Sequence, residues 1–327
     1  MKAITHFAST LFAAIALIHG TQLFAQPYPS RALHVVLPVT AGGIQDTLAR
    51  VMAPEMARRL GQPVVVDNRG GANGIIASEY VAHAAPDGYT VLMTSQIQLS
   101  NDLVPGGQGL SFDPVKDLLP VIGLVSTGNI MVASPRLPVN NLKELIEYAR
   151  QNPGKLNYGS WGIGSGPHID AEAIARLSGL KMTHVPYKGG APLVQAVLAN
   201  EIDFSLMALQ TALTLVRQGK LKPIAFGGAE RSSLLPEVPT IAESGFKGFE
   251  SGGWFGWLVP AATPKAVAER IAAEASAIIT DPAFRDKHII PLGMEVLNLS
   301  PAAFAEKFKA DREAYAARLR NLGGKSL

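Results

Sequence analysis

The residues that could do chemistry in this chain gather in a few glycine-rich junctions. Leu37-Pro-Val-Thr-Ala-Gly-Gly-Ile-Gln-Asp46 runs from an apolar segment through Ala41, Gly42 and Gly43 into an amphipathic run. Glycines ahead of a helix let backbone N–H groups point into a cavity, and the helix N-terminus adds partial positive charge. Such a junction suits a small oxyanion, a carboxylate included. Similar junctions follow at residues 70–74, 159–166 and 189–190.

Other chemistries fit these residues poorly. A dinucleotide turn needs G-x-G-x-x-G and a P-loop needs G-x-x-x-x-G-K-[ST]. Residues 41–46 hold neither, and Gly162-Ile-Gly164-Ser-Gly166 meets Pro167 at the fingerprint's last position, with no lysine where a P-loop requires one. A serine hydrolase built on G-x-S-x-G is not matched at Ser160 or Ser165. His168 and Asp170 lie close to Ser165 in sequence, but triads are assembled across a fold rather than along one turn. The histidines after the N-terminal segment (His34, His83, His168, His184, His288) form no i,i+4 pair, and there is no cysteine. No metal and no cofactor is expected. Any one glycine junction could be only a tight turn between strand and helix. Four of them in one chain point to a cage of backbone donors around a small carboxylate.

These junctions need elements to hold them. Short apolar runs alternate with helical patterns: strands at residues 33–38, 64–67 and 89–94 enclose helices at 44–60 and 72–84, the first stopped by Gly61. A second set follows, with Asn141 capping a helix to Gln151 and Glu144 at its third position. Strands are predicted at 156–158, 182–185, 204–208 and 223–226, and helices at 168–177, 191–199 and 211–218. The glycine-containing runs 121–133 and 252–260 read as crossover strands between two lobes. Thr263-Pro264 and Ser300-Pro301 each supply a cap and a first-turn proline. In the last helix Phe304, Phe308, Tyr315, Leu319 and Leu322 share a face, and Gly323 ends it. Strand–helix alternation of this kind calls for mostly parallel sheets covered by helices, with ligand clefts at the carboxyl ends of the strands.

Composition bounds the location and the partners. The 327 residues are 47% hydrophobic and 17% charged, with a net charge of +3. That is mildly basic, without a Lys/Arg cluster, and nucleic acid is not an expected partner. Lys2, the apolar run 11–18 and Leu23-Phe24-Ala25 form an export signal, with cleavage expected between Ala25 and Gln26. The apolar run is shorter than the ~20 residues of a spanning helix. A soluble, monomeric protein of a bacterial periplasm is expected, without disulfides or a lipid-carrying cysteine.

In order along the chain stand Tyr28-Pro-Ser-Arg31, Pro38-x-x-Ala-Gly-Gly-x-x-Asp46, Gly61-Gln-Pro-Val-Val-Val-Asp-Asn-Arg69, Gly71-Ala-Asn-Gly74 and Ala85-Pro-Asp-Gly-Tyr-Thr90. Then come Asn152-Pro-Gly-Lys-Leu-Asn-Tyr-Gly-Ser160, Gly162-x-Gly-Ser165, His168, His184-Val-Pro-Tyr-Lys-Gly189, Leu235-Pro-Glu-Val-Pro-Thr240 and Glu243. With these the chain resembles the Bug-type extracytoplasmic solute receptors of tripartite tricarboxylate transporter systems. The resemblance implies an α/β type II periplasmic binding fold, with lobe 1 in residues 26–128 and 251–327 and lobe 2 in residues 129–250. It implies a binding protein, not an enzyme, that closes on a small carboxylate and docks on membrane permease subunits.

Carried onto this chain, the ligand contacts are Val39, Thr40, Ala41, Gly42, Gly43, Ile44, Gln45 and Asp46 from the first loop. Ser160, Trp161, Gly162, Gly164 and Ser165 come from the second, with Gly189 and Ala191 nearby. Asp203 is expected either to face the cleft or to serve structurally at a strand start. The family's usual aromatic and Gly-Thr positions are replaced here by Val39, Ile44 and Gln45, and Trp161 stands where a small residue is commoner. Bulkier apolar walls suggest a mono- or dicarboxylate with an apolar or aromatic body. A sensing receptor that docks on a signalling protein is the alternative, and a carboxylate-ester hydrolase using Ser165 a more distant one.

Overall fold

A computed structural model describes residues 28–96, 98–103, 110–163, 165–187 and 190–321. The expected export signal, Leu322 and Gly323 lie outside them. The first set of elements is β1 (Leu33–Leu37), α1 (Ile44–Leu60), β2 (Val64–Asn68), α2 (Ile75–Ala82) and β3 (Thr90–Ser95). The long β4 (Leu118–Ala133) leads to α3 (Leu142–Gln151), β5 (Asn157–Ser160), α4 (Gly166–Ser178), β6 (Thr183–Pro186), α5 (Gly190–Ala199), β7 (Phe204–Ala208), α6 (Leu209–Arg217) and β8 (Lys222–Phe226). The chain then returns through β9 (Gly252–Pro260), α7 (Lys265–Ile279), β10 (Met294–Leu299) and α8 (Pro301–Asn321). No helix among the described residues is long and apolar enough to cross a membrane.

Local signals set most boundaries. Gly61 takes a left-handed conformation (φ 70°) and returns its N–H to Ala57, closing α1. The Asn141 side chain accepts from Glu144 N at 2.9 Å, and the Glu144 carboxylate accepts from Asn140 N at 2.7 Å, so α3 starts where the sequence places it. One start differs. Pro264 itself is the N-cap of α7, and the Thr263 hydroxyl is buried without a hydrogen-bond partner instead of capping the helix.

The strand register places the site. The sheet runs in the order β2-β1-β3-β9-β4-β7-β5-β6, with β8 and β10 also paired to β4. Strands β1, β2 and β3 are mutually parallel, as are β5, β6 and β7. β9 is antiparallel to both β3 and β4, and β4 is antiparallel to β7. β3 therefore runs with β4 and β7 runs against it. Ser95 ends β3 level with Phe255 and so with Val125, whereas Ala208 ends β7 level with Asn129. The carboxyl ends of the two parallel sets face each other across the β4 stretch from Val125 to Asn129, roughly 13 Å at ~3.3 Å per residue. Crevices at carboxyl ends are where open α/β sheets hold ligands.

Helices cover both faces of the second lobe. Met131 and Ala133 of β4 pack with Leu145 of α3 and Ile174 of α4 on one face. Ile130 and Val132 pack with Leu193 and Val197 of α5 and Ala212 of α6 on the other. Alternation along a strand buried on both sides produces this split. The first lobe is centred on Val36, Leu92, Leu258 and Trp254, with Phe304 and Phe308 of α8 laid over them. The crossover glycines have a steric reason. A Cβ on Gly252 (φ 142°) would lie 2.0 Å from Thr127 O, and one on Gly128 would lie 2.1 Å from the Phe226 ring.

Candidate functional site

The first loop is built by two buried side chains that turn away from solvent. The Asp46 carboxylate accepts from Gly42 N, Arg50 Nε and Asn68 Nδ2, each at 2.9 Å. The hydrogen bond from Arg50, with Gly42 and Asn68 adding to it, holds that carboxyl at about 2 in spite of burial. Gln45 is buried and its Nε2 donates to Met93 O at 2.6 Å. Both residues therefore shape the loop from inside. Thr40, Ala41, Gly42 and Gly43 are exposed, and Val39 and Ile44 half-buried. The first helical bond of α1 is Thr47 N to Gly43 O at 2.9 Å. The N–H groups of Ile44, Gln45 and Asp46 thus stand at the helix N-terminus, and Gly43 has no side chain to cap them. The junction after β2 leans on this loop: a Cβ on Gly70 would lie 3.2 Å from Thr40 N, and one on Gly74 3.1 Å from both Pro38 and Gln98.

The second loop is held by serines. Ser160 Oγ donates to Gly162 O at 2.9 Å and accepts from Gly162 N at 3.1 Å. Ser165 Oγ donates to the same carbonyl at 2.6 Å. His184 Nε2 meets Ser160 Oγ at 2.7 Å. With the hydroxyl proton on Gly162 O, Nε2 is the donor, a tautomer assigned from the network. The loop folds over Gly162 in this way and opens onto α4, whose first turn has no side-chain cap and is interrupted by Pro167. Tyr187 N donates to Ser160 O at 2.8 Å, which brings the junction after β6 alongside. Gly164, Gly189 and the side chain of Ala191 lie outside the described residues. Trp161 is half-buried against the second-lobe core, whereas Ile163 on the same loop is 60% exposed.

A stacked aromatic group supports this loop, and the sequence reading did not see it. The His184 ring lies 3.9 Å from His168 and 5.0 Å from Tyr158, whose hydroxyl donates to Glu172. Burial pushes both imidazoles down, His184 to about 4 with the neighbouring His168 adding to the effect, so both are neutral at neutral pH. Parallel pairing of β5 with β6 makes the contact: Tyr158 is level with His184, and Ser160, two residues on, shares its face. Residues 24 apart in sequence carry no spacing signal for it.

The structure separates other candidates. Ser165, His168 and Asp170 diverge: Ser165 bonds Gly162 O, His168 stacks on His184, and Asp170 bonds Ser251 and Arg318. They do not form a triad. Asp203 precedes β7, at the opposite end of that strand from the cleft. Its carboxylate accepts from Asn157 N at 2.7 Å, tying the start of β5 to β7, the structural task at a strand start. Within residues 39–46 and 159–166 the one charged side chain is Asp46, which Arg50 pairs. The two loops offer an anion mostly uncharged backbone donors from two helix N-termini.

Comparison with known proteins agrees with this geometry. The family described as "Tripartite tricarboxylate transporter family receptor" matches residues 48–321. A UPF0065 protein of Bordetella pertussis is 36% identical over 274 residues, 83% of this chain and 84% of the relative. The adipate-bound structure of an R. palustris protein superposes with a TM-score of 0.78 at 32% identity, covering 90% of this chain and 98% of its own. MatC of Rhodopseudomonas palustris with bound malate gives a TM-score of 0.73 at 30% identity, covering 89% and 100%. With this match along most of its length and the two-lobed periplasmic binding fold, the chain belongs to the tripartite tricarboxylate transporter receptor family.

Proposed function

We propose that this receptor captures a small dicarboxylate between its lobes in the periplasm and hands it to membrane permease subunits of a tripartite tricarboxylate transporter. The observation that carries this reading is the pair of uncapped helix N-termini, α1 and α4, on carboxyl edges that face each other. One carboxylate at each N-terminus would bridge the lobes, and contacts made only when both are in reach favour the closed form. The adipate and malate of the two related structures have this chemistry. The periplasmic location rests on the export signal with cleavage between Ala25 and Gln26, and the permease partner on the family. Lobe 1 is assigned residues 26–128 and 251–327 and lobe 2 residues 129–250, in keeping with strands that cross near Gly128 and Ser251. The ligand contacts are assigned to residues 39–46, 160–165 and the 187–191 junction, chiefly through backbone.

Ile44 and the exposed Ile163 give the cleft apolar surface, which suits a ligand with an aliphatic or aromatic body. The test is a thermal-shift screen of residues 26–327 with malate, adipate, longer aliphatic diacids and aromatic acids. A ligand at 100 times its dissociation constant adds about 2.7 kcal/mol, so a clear shift with at least one acid is expected, and none with any of them would refute the proposal. Trp161→Ala decides between aromatic and aliphatic bodies. Unchanged affinity for every acid bound would remove Trp161 from the pocket.

A further inference from the structure

Helix α8 packs on the first lobe at its start and on the second at its end. Phe304 and Phe308 meet the Trp254 ring edge-on at 4.7 and 6.0 Å, in the first-lobe core. Asp311 accepts from Trp254 Nε1 at 2.9 Å, and Arg312 pairs with Asp102 at 2.6 Å. Beyond this point the helix runs onto α4: Tyr315 and Leu319 cover Ile169. Arg318 donates to Asp170 Oδ1 at 2.9 Å and to Glu250 O at 3.1 Å, with its guanidinium 4.9 Å from the centre of the Phe249 ring.

Asp170 is the centre of this contact. It sits in the helix whose N-terminus carries the second ligand loop. Its other oxygen accepts from Ser251 Oγ at 2.6 Å, and Ser251 accepts from Asn129 Nδ2 at 3.1 Å. Asp170, Ser251 and Asn129 are all buried, and Asn129 and Ser251 lie where the crossover strands pass between the lobes. Beside them lies a cavity of about 820 Å³, lined by Ser126, Gly128, Ser233, Gly252 and Glu295. A buried carboxylate is costly even when paired, and the best-attested return for such a group is a fixed arrangement rather than net stability.

We propose that Asp170 and Arg318 are positioning residues for the ligand cleft, clamping the end of α8 to α4 and to the crossover strands and so setting the angle at which the two ligand loops face each other. The inference rests on the two-lobe reading but needs no particular ligand. The clamp lies beside the gap between the carboxyl edges, because Gln96, directly after β3, donates to Asp311 O at 3.1 Å. Releasing it frees lobe 2 to sample wider angles, and binding must then supply the ordering.

The chain has no cysteine, so spin labels can be placed cleanly at Ala266→Cys on α7 and Lys143→Cys on α3, both exposed. The interlobe distance distribution is measured by double electron–electron resonance, without ligand, in the otherwise unchanged protein, in Arg318→Gln, and in Arg318→Gln with Asp170→Asn. The second variant leaves no unpaired charge and protects against a simple folding failure. A broadened or shifted distribution in both folded variants is expected, with affinity for any acid that binds lowered roughly tenfold. A distribution indistinguishable from that of the unsubstituted protein in both would overturn the clamp. Altered distances with no acid bound at all would leave the clamp standing and remove the carboxylate reading instead.

Discussion

The Asp46 side chain shapes the first glycine loop from inside the fold. Its carboxylate takes bonds from Gly42, Arg50 and Asn68, so it fixes the glycine turn and closes the contact between β2 and α1. Asp46→Ala removes the acceptor for all of them, and a hydrogen bond to a charged group contributes about 1.5–3 kcal/mol. A loss of about 2–4 kcal/mol in urea unfolding is expected, with ligand affinity falling as the turn relaxes, and Asp46→Asn should cost less. The His184–His168 pair makes a prediction with a defined sign. The folded-state pKa of His184, about 4, lies below the ordinary 6.5, so the unfolded chain binds the proton more readily between those values. The stability linked to neutral His184 is complete above about pH 6.5 and is lost as pH falls towards 4. Asp170 works the other way, since burial raises it to about 6 against Arg318 and Ser251, and acidification through that range favours the fold. Subtracting a variant isolates the histidine: His184→Gln should show a flatter melting temperature between pH 6.5 and 4 than the unsubstituted protein. Parallel curves would mean that His184 is not linked to folding in that window.

At the scale of elements, legibility followed local grammar. Gly61, Asn141 and Ser300 marked helix ends because caps act within a few residues, and the glycine-containing runs marked the crossover strands because close backbone approach leaves no room for a Cβ. What the sequence hid was set by pairing at a distance. β10 was not foreseen, since Met294–Leu299 is a short run whose partner is the far-off β4. The Ser160–His184 contact exists only through the register of β5 on β6, and the inward turn of Gln45 depends on the Met93 carbonyl of β3. Thr263 carried a capping signal that the chain did not use. The glycine junctions were visible as a pattern, but which of their groups turn inward was not. The crossover glycines give the element-scale prediction. Gly252→Ala adds a Cβ against the immovable Thr127 carbonyl at a positive φ, two penalties of about 1–3 kcal/mol each, so a loss of about 2–5 kcal/mol in denaturant unfolding is expected. Gly43→Ala, with open space around its Cβ and φ −80°, should cost far less.

The whole molecule poses the question of whether its two lobes fold as one. The sheet is continuous through β4, which contributes core residues to both lobes, and α8 spans them with Phe304 at one end and Leu319 at the other. Separating the lobes would expose the apolar faces of β4 and α8 together, so partial unfolding is disfavoured. Three tryptophans allow the test. Trp254 and Trp257 lie in β9 in the first lobe, and Trp161 lies on the second. Trp161→Phe leaves fluorescence that reports the first lobe alone, whereas far-UV circular dichroism reports the helices of both. In urea the two signals should change at the same midpoint, as a single cooperative transition requires. Comparing probes within one variant removes any effect of the substitution on stability. A fluorescence transition displaced from the dichroism one would mean that the lobes unfold separately. The result also bears on ligand capture. In a cooperative molecule a carboxylate held between the lobes stabilises every residue of the fold by the same amount. In a molecule of independent lobes the first lobe to unfold releases the ligand and leaves the other unprotected, so a thermal-shift screen would register only the weaker lobe.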